Sequence, residues 1–335
     1  MIAFPLTTTA IAIIVAIGAL LAVAMLYAVT RLRSARHRQY AGSVSRGSSE
    51  PNAREEITQP LPATIRPQVQ IAPTASLRSA QRSDRGRVRA TSANEDDTLI
   101  LELKDEEGQV RTALYAVADG MGGHEKGEIA SRTATRSVEQ ALRTDPFFRS
   151  TGYPDGEYTD QDVVEVLRRA VMVSNREVYG LRMDQQTNMG TTLVLALVIR
   201  SKAYVANVGD SRAYLLRDGG IEQITEDHSL VERMVASGQI TEAEARLHPQ
   251  RNLVFRSLGT EPNVEVDLFV EPLQAGDRIL LCSDGLTIML PDERVAYIVN
   301  REPDLDTACR ALVRAANEAG GKDNISVVLA EIIPA

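Results

Sequence analysis

Four short acidic corners, each at one end of an apolar run, set the tightest limit on how this chain can fold. They are Val117-Ala118-Asp119-Gly120, Val208-Gly209-Asp210-Ser211, Cys282-Ser283-Asp284-Gly285 and Lys322-Asp323-Asn324-Ile325. Three place the aspartate just after the run, and the last places it just before the run 325–329. Each is a strand-edge carboxylate beside a tight turn. One such corner is an ordinary turn. Four of them gather carboxylates at one end of a sheet, which is how a protein holds hard divalent cations.

Around the corners the apolar runs are short and paired. Runs 98–103 and 111–118 flank Asp105-Glu106-Glu107-Gly108, run 191–199 precedes 203–208, and 213–217 faces 221–224 across Asp218-Gly219-Gly220. These are three predicted hairpins. Further strands are predicted at 265–270, 278–282 and 325–332. Helical spacing covers 127–142, 162–181, 291–300 and 305–319, with short helices at 229–237 and 242–247. Pro291 suits a first helical turn and Gly320-Gly321 a stop. Hairpins and helices mix without regular strand–helix alternation. The expected fold class is therefore α+β, with antiparallel sheets covered by helices, rather than a doubly wound parallel sheet.

Residues 10–29 form an uncharged run that, as a helix, spans about 30 Å, the thickness of a bilayer core. No Lys or Arg precedes it and no clear small-residue cleavage site follows, so a membrane anchor is expected rather than a signal peptide. Arg31, Arg33, Arg36 and Arg38 follow directly and place that side in the cytoplasm. The segment after them is rich in Ser, Pro, Ala, Gln and Arg and lacks periodicity, as a disordered linker does. The expected organisation is an anchor at 1–30, a basic linker at 31–80 and one domain at 81–335, single-pass with the domain cytoplasmic. Net charge is −8, but residues 31–92 hold about 12 basic and 4 acidic residues, leaving about 25 and 41 for the remainder. Such an acidic body lacks the footprint of a nucleic-acid binder. Of the two cysteines, Cys282 lies in an apolar run and is expected to be a buried thiol.

Two dications about 4 Å apart repel by about 17 kcal/mol even at an effective dielectric near 20. A pair persists only with anions between and around it, and a bridging carboxylate and hydroxide meet that need. The hydroxide is then a nucleophile available at neutral pH. Oxygen ligands without a His or Cys cluster favour Mg²⁺ or Mn²⁺ over Zn²⁺. The chemistry implied is in-line hydrolysis of a phosphate ester.

The order of the corners and their neighbours goes further. In sequence they run Ser83-Asp84-Arg85-Gly86, Asn94-Glu95-Asp96, Val117-Ala118-Asp119-Gly120-Met121-Gly122-Gly123-His124 and Gly127-Glu128-Ile129-Ala130-Ser131. Met189-Gly190-Thr191-Thr192, Val208-Gly209-Asp210-Ser211-Arg212 and Thr225-Glu226-Asp227-His228-Ser229 follow, then His248-Pro249-Gln250, Cys282-Ser283-Asp284-Gly285-Leu286 and Asp323-Asn324-Ile325. Over about residues 82–332 the chain resembles the metal-dependent protein phosphatases, the type 2C serine/threonine family, in their bacterial form.

That resemblance implies two stacked antiparallel β-sheets flanked by helices, an αββα sandwich. It implies that Asp119 bridges two Mn²⁺ or Mg²⁺ ions, that Gly120 offers its carbonyl, and that Asp284 and Asp323 complete the pair. Asp210, with Asp284, matches the holder of a third, weaker metal, and Glu95 and Asp96 match residues acting through metal-bound water. Asn324 orders the last corner, and residues 226–258 match a mobile flap. The family usually places its phosphate-binding Arg three residues before the Asn of Asn-Glu-Asp. Here Arg89 stands five before Asn94, so it reaches the phosphate only if the loop bulges, with Arg87 as the alternative. His124 is expected to be structural, and His228 and His248 are not expected to bind metal. The partners implied are phosphorylated proteins, and serine/threonine kinases or their substrates. Two other readings stay open: a catalytically silent phosphoprotein-binding module, and a two-metal enzyme for small phosphate esters.

Overall fold

The computed structural model describes residues 76–104, 108–122, 126–149 and 158–334. The expected anchor, the linker up to residue 75, the hairpin turn at 105–107 and His124 lie outside the described residues. The chain opens with β1 (Ser76–Asp84), β2 (Asp96–Lys104), β3 (Val110–Met121), α1 (Gly127–Thr144), α2 (Pro146–Arg149) and α3 (Asp160–Asp184). It continues through β4 (Gly190–Thr191), β5 (Leu193–Ile199), β6 (Lys202–Val208), β7 (Arg212–Arg217), β8 (Gly220–Gln223), α4 (Leu230–Ala236) and α5 (Glu242–Leu247). It closes with β9 (Asp267–Pro272), β10 (Arg278–Cys282), α6 (Asp284–Thr287), α7 (Asp292–Arg301), α8 (Leu305–Glu318) and β11 (Ile325–Ile333).

Two antiparallel sheets result. One has the order β1-β11-β10-β7-β8, the other β2-β3-β5-β6-β9 with β4 paired to β3. Successive side chains of a strand point to opposite faces, and here both faces are covered. Val194, Ala196 and Val198 of β5 meet Ile279, Leu281 and Val328 between the sheets. Leu193, Leu195 and Leu197 turn the other way, against Ala134, Val138 of α1 and Leu167, Val171 of α3. In the other sheet Leu280, Val327 and Leu329 pack on Val299 of α7 and Leu312 of α8. The layers are helix, sheet, sheet, helix. Double coverage explains why the inner strands are unbroken apolar runs instead of alternating ones. Cys282 and Cys309 are buried free thiols.

Four local expectations change. The linker was expected to reach residue 80, but β1 already begins at Ser76 and pairs with β11 from Ser76↔Ile333 to Asp84↔Ile325. Its polar sequence hid it: this is an edge strand in which only Leu77 is buried. The predicted strand 191–199 divides into β4 and β5, because Thr192 between them bonds to Asp119 instead of continuing a ladder. Pro291 caps α7 with extended backbone (ψ 156) and so precedes the helix. The third corner opens the short helix α6 rather than a plain turn. Among the described residues no helix is long and apolar enough to cross a membrane.

Candidate metal centre

All four corners meet at the shared end of the two sheets. Asp96 and Asp119 are register partners across β2 and β3. Asp119 is held from the opposite side by the β4–β5 junction. Its N–H donates to Thr192 Oγ1 at 2.9 Å, and its carbonyl accepts from the Thr191 hydroxyl at 2.9 Å and the Thr192 N–H at 2.9 Å. Thr192 Oγ1 lies 2.7 Å from Ser211 Oγ, which ties this corner to the Asp210 corner. Ser283, next to Asp284, donates to Asp96 Oδ2 at 2.8 Å and accepts from the Ser326 N–H at 3.0 Å. Asn324 accepts from the Glu95 N–H at 2.8 Å and donates to the Arg85 carbonyl at 2.9 Å, so it does order the last corner.

These carboxylates are buried together, and that is costly. Burial pushes Asp96 up to about 7, against the hydrogen bonds of Ser326 and Ser283. Burial followed by the charge of Asp227 pushes Asp210 up to about 7. Asp119 is held well above the usual carboxylate range by burial, then by Asp96, Asp284 and Asp323. Asp284 is raised in the same way, by burial and then by Asp210 and Asp323. Asp96 Oδ1 and Asp284 Oδ1 are buried with no hydrogen-bond partner among the described residues. An orphaned buried acceptor costs about 1–3 kcal/mol, more when charged. A hard dication relieves both the repulsion and the orphaned oxygens.

The backbone closes tightly beside the cluster. A Cβ added at Gly120 would lie 2.2 Å from the Gly127 carbonyl oxygen and 2.6 Å from that of Glu95, so only glycine lets the three backbones close up. No three acidic, His or Cys side chains among the described residues form a ready-made cage around one point. The cluster is broad, which suits Mg²⁺ or Mn²⁺ retaining several waters. The all-oxygen set of Asp119, Asp284, Asp323 and the Gly120 carbonyl fits these ions, with Asp210 placed beside Asp284.

The sequence model of the family described as protein phosphatase 2C matches residues 84–330. The chain belongs to that family. The serine/threonine phosphatase stp of Listeria monocytogenes is 40% identical over 252 residues, covering 75% of this chain and 94% of its own length. The crystal structure of the Mycobacterium tuberculosis serine/threonine phosphatase PstP/Ppp shares 37% identity with a TM-score of 0.66, over 77% of this chain and 99% of that one. The catalytic domain of PstP in complex with two manganese ions shares 36% identity with a TM-score of 0.63, over 78% and 100%.

Within this protein phosphatase 2C domain, Arg89 does reach the carboxylates. Its guanidinium bonds Asp323 through Nη1 and Glu95 Oε2 through Nη2, the latter at 2.6 Å. The loop absorbs its two extra residues in a turn closed by the Ser92 N–H on the Arg89 carbonyl at 2.9 Å. Arg89 is about one-third exposed (31%). Burial lowers its pKa, but the charges of Asp323 and Glu95 more than offset this and keep it raised. Glu95 is raised by burial, against the pull of Arg89. Arg87 points outward and is exposed.

Sequence reasoning missed the residues that brace this phosphatase site. Thr192, Ser211, Ser283 and Ser326 form the hydroxyl links described above. The run Met189-Gly190-Thr191-Thr192 was visible, but its role depends on Asp119, 72 positions from Thr191 in sequence, folding beside it. His228 is not idle. Its Nδ1 accepts from the Gly209 N–H at 2.9 Å, its backbone N–H donates to the Gly209 carbonyl at 2.9 Å, and its Nε2 lies 3.1 Å from Asp267 Oδ2. It therefore clamps the residue before Asp210. Arg212 forks onto Asp227 at 2.7–2.9 Å and ties the start of the flap to β7. His248 is in the flap, where its Nδ1 accepts from the Gln250 N–H at 3.2 Å.

Proposed function

We propose that this chain is a membrane-anchored serine/threonine protein phosphatase that hydrolyses phosphoserine and phosphothreonine with two Mn²⁺ or Mg²⁺ ions. Family membership makes it a metal-dependent protein phosphatase. The observation that carries the finer reading is the convergence of Asp96, Asp119, Asp210, Asp284 and Asp323 at one sheet end, with Arg89 at its rim.

Bound there, the ions supply a nucleophile from water near neutral pH and positive charge against the phosphoryl group. Asp119, Asp284, Asp323 and the Gly120 carbonyl would hold the pair, and Asp210 would serve a third, weaker ion. Arg89 presents its guanidinium to the phosphate, a planar fork suited to two phosphate oxygens. Asp96 is held by Ser283 and keeps Oδ1 free to orient water. The water oxygen bonds to phosphorus, the P–O bond to the side chain breaks, and the seryl or threonyl oxygen leaves with a proton. No phosphoenzyme forms. The silent-module reading rested on the long Arg89 loop, and Arg89 reaches the carboxylates despite that length.

The run at 10–29 and the arginines after it support a single-pass anchor with the domain in the cytoplasm. The partners proposed are phosphorylated proteins and the serine/threonine kinases that act on them near the membrane. Release of phosphate from a phosphothreonine peptide, dependent on Mn²⁺, tests the activity. A protein that binds Mn²⁺ yet turns over no phosphopeptide sinks the enzyme reading. Higher catalytic efficiency on nucleotides or small esters than on phosphopeptides favours the small-ester alternative. Protease added to intact cells should spare the domain, and its digestion there refutes the orientation.

A further inference from the structure

We propose that the exposed cations beside Asp323 form a ledge that docks an acidic stretch of the phosphoprotein next to the phosphorylated residue. The proposal rests on the phosphatase reading and extends it to substrate choice. Residues 85–88 lie along 321–324 backbone to backbone. Asn324 Nδ2 donates to the Arg85 carbonyl at 2.9 Å, and the Val88 N–H donates to the Gly321 carbonyl at 2.9 Å. The approach is so close that a Cβ at Gly86, whose φ is +76°, would fall 2.0 Å from the Asp323 carbonyl oxygen. With the backbones in contact, the side chains are driven outward. Arg85, Arg87 and Lys322 are all exposed, and none makes an ion pair among the described residues. Arg85 has only a long contact, 3.5 Å, to the Ala90 carbonyl.

Three other exposed arginines of the domain are matched, Arg78 with Glu331, Arg143 with Glu139 and Arg169 with Asp145, whereas Arg82 and Arg176 are exposed without an ion pair among the described residues. Unmatched like charges repel one another and attract an anionic ligand. Arg89, two residues beyond Arg87, turns inward to Asp323, so ledge and phosphate site are continuous. A pocket next to the cluster, shared by Asp210 and Asp284, is lined by Asp227, Glu232, Glu242 and Asp292 against Arg212, Arg246 and Arg251, so acids outnumber bases there. The ledge carries bases alone, and an acidic flank of a substrate is drawn to it in preference. A bilayer resting on the ledge would cover the adjoining carboxylates and block the site, which favours a peptide as the occupant over a lipid surface.

The test uses the Mn²⁺-loaded full chain and three phosphothreonine peptides whose flanks are Asp/Glu, Ala or Lys, with the acidic flank placed on either side. Exposed ion pairs contribute about 0.2–1 kcal/mol each. Three of them predict a kcat/KM about tenfold higher for the acidic-flanked peptide on one side, expressed in KM and fading near 0.5 M salt. The double variant Arg85→Glu/Lys322→Glu should abolish or invert that preference while leaving the Ala-flanked peptide and p-nitrophenyl phosphate unchanged. Equal rates on all flanks in the unaltered protein overturn the ledge, as does a preference that survives in the double variant. Loss of binding to phosphatidylserine vesicles in the variant with the peptide preference intact also overturns it and assigns the patch to lipid. No turnover of any substrate refutes the phosphatase reading itself, a result distinct from turnover without flank preference.

Discussion

Metal-free protein should lose stability as pH rises from about 5 to about 7.5, because its centre is a cluster of buried acids. Asp96 and Asp210 are each pushed up to about 7 in the folded protein, against about 3.9 for an unfolded aspartate. Between those values the folded state holds protons that the unfolded chain has released. The stability tied to each group is therefore complete below about pH 4 and is lost as pH climbs through 7. For one such group the loss between pH 5 and 7.5 is about 2.5 kcal/mol. The carboxylates feel one another, so their contributions do not simply add. At about 2–4 °C per kcal/mol for a domain of this size, Tm should fall by about 5–10 °C. Asp267, held below the usual range by His228 and Arg256 against burial, loses its contribution only under more acid conditions. Mn²⁺ replaces the protons, so its stabilising effect should be large at pH 7.5 and small at pH 5, where protons compete. Scanning calorimetry of EDTA-dialysed protein at pH 5, 6 and 7.5, with and without Mn²⁺, reads both effects. Asp210→Asn should flatten part of the slope. A metal-free Tm that is level or rising across this window, or an equal gain from Mn²⁺ at both ends, refutes the reasoning.

Three further outcomes are expected. Arg89→Ala removes the cation that competes for Asp323, so calorimetric titration should show Mn²⁺ bound about tenfold tighter, in line with about 1.5–3 kcal/mol for a charged hydrogen bond, while inhibition by inorganic phosphate weakens; unchanged Mn²⁺ affinity counts against the contact. Gly120→Ala forces a methyl against two carbonyl oxygens at 2.2 and 2.6 Å and should cost about 1–3 kcal/mol in denaturant unfolding, with activity lost alongside. His228→Phe keeps the ring but leaves the Gly209 N–H unpaired, which should cost about 1–3 kcal/mol and lower kcat through a loosened Asp210; full stability and activity in this variant would falsify the clamp.

Legibility followed how local the signal was. Inner strands such as β5 and, after Arg278, β10 announced themselves because both faces are buried and the residues are apolar. The edge strand β1 did not, since one ladder and one buried leucine demand little of its sequence. Helices α1, α3 and α8 were visible from their apolar stripes, and their ends shifted by one to three residues where capping decided them. Thr159, for example, closes a capping box with Asp162 and so starts α3 two residues before the apolar stripe does. Candidate aspartates were legible because an acid at the end of an apolar run is conspicuous. The residues that brace them were not, because Thr192, Ser211, Ser283 and Ser326 look like ordinary turn hydroxyls until their partners are in place.

By itself the sequence determined the inner strands, the longer helices and the four strand-end aspartates, since those depend on side-chain periodicity and turn chemistry within a few residues. Only the tertiary structure decided that Asp96 stands opposite Asp119, that Asn324 spans Glu95 and Arg85, and that Arg89 crosses the lengthened loop to Asp323. Those contacts join residues as far as 239 positions apart. They exist because two sheets, each burying both faces, must end at the same edge. There several carboxylates are buried together rather than standing at four separate turns.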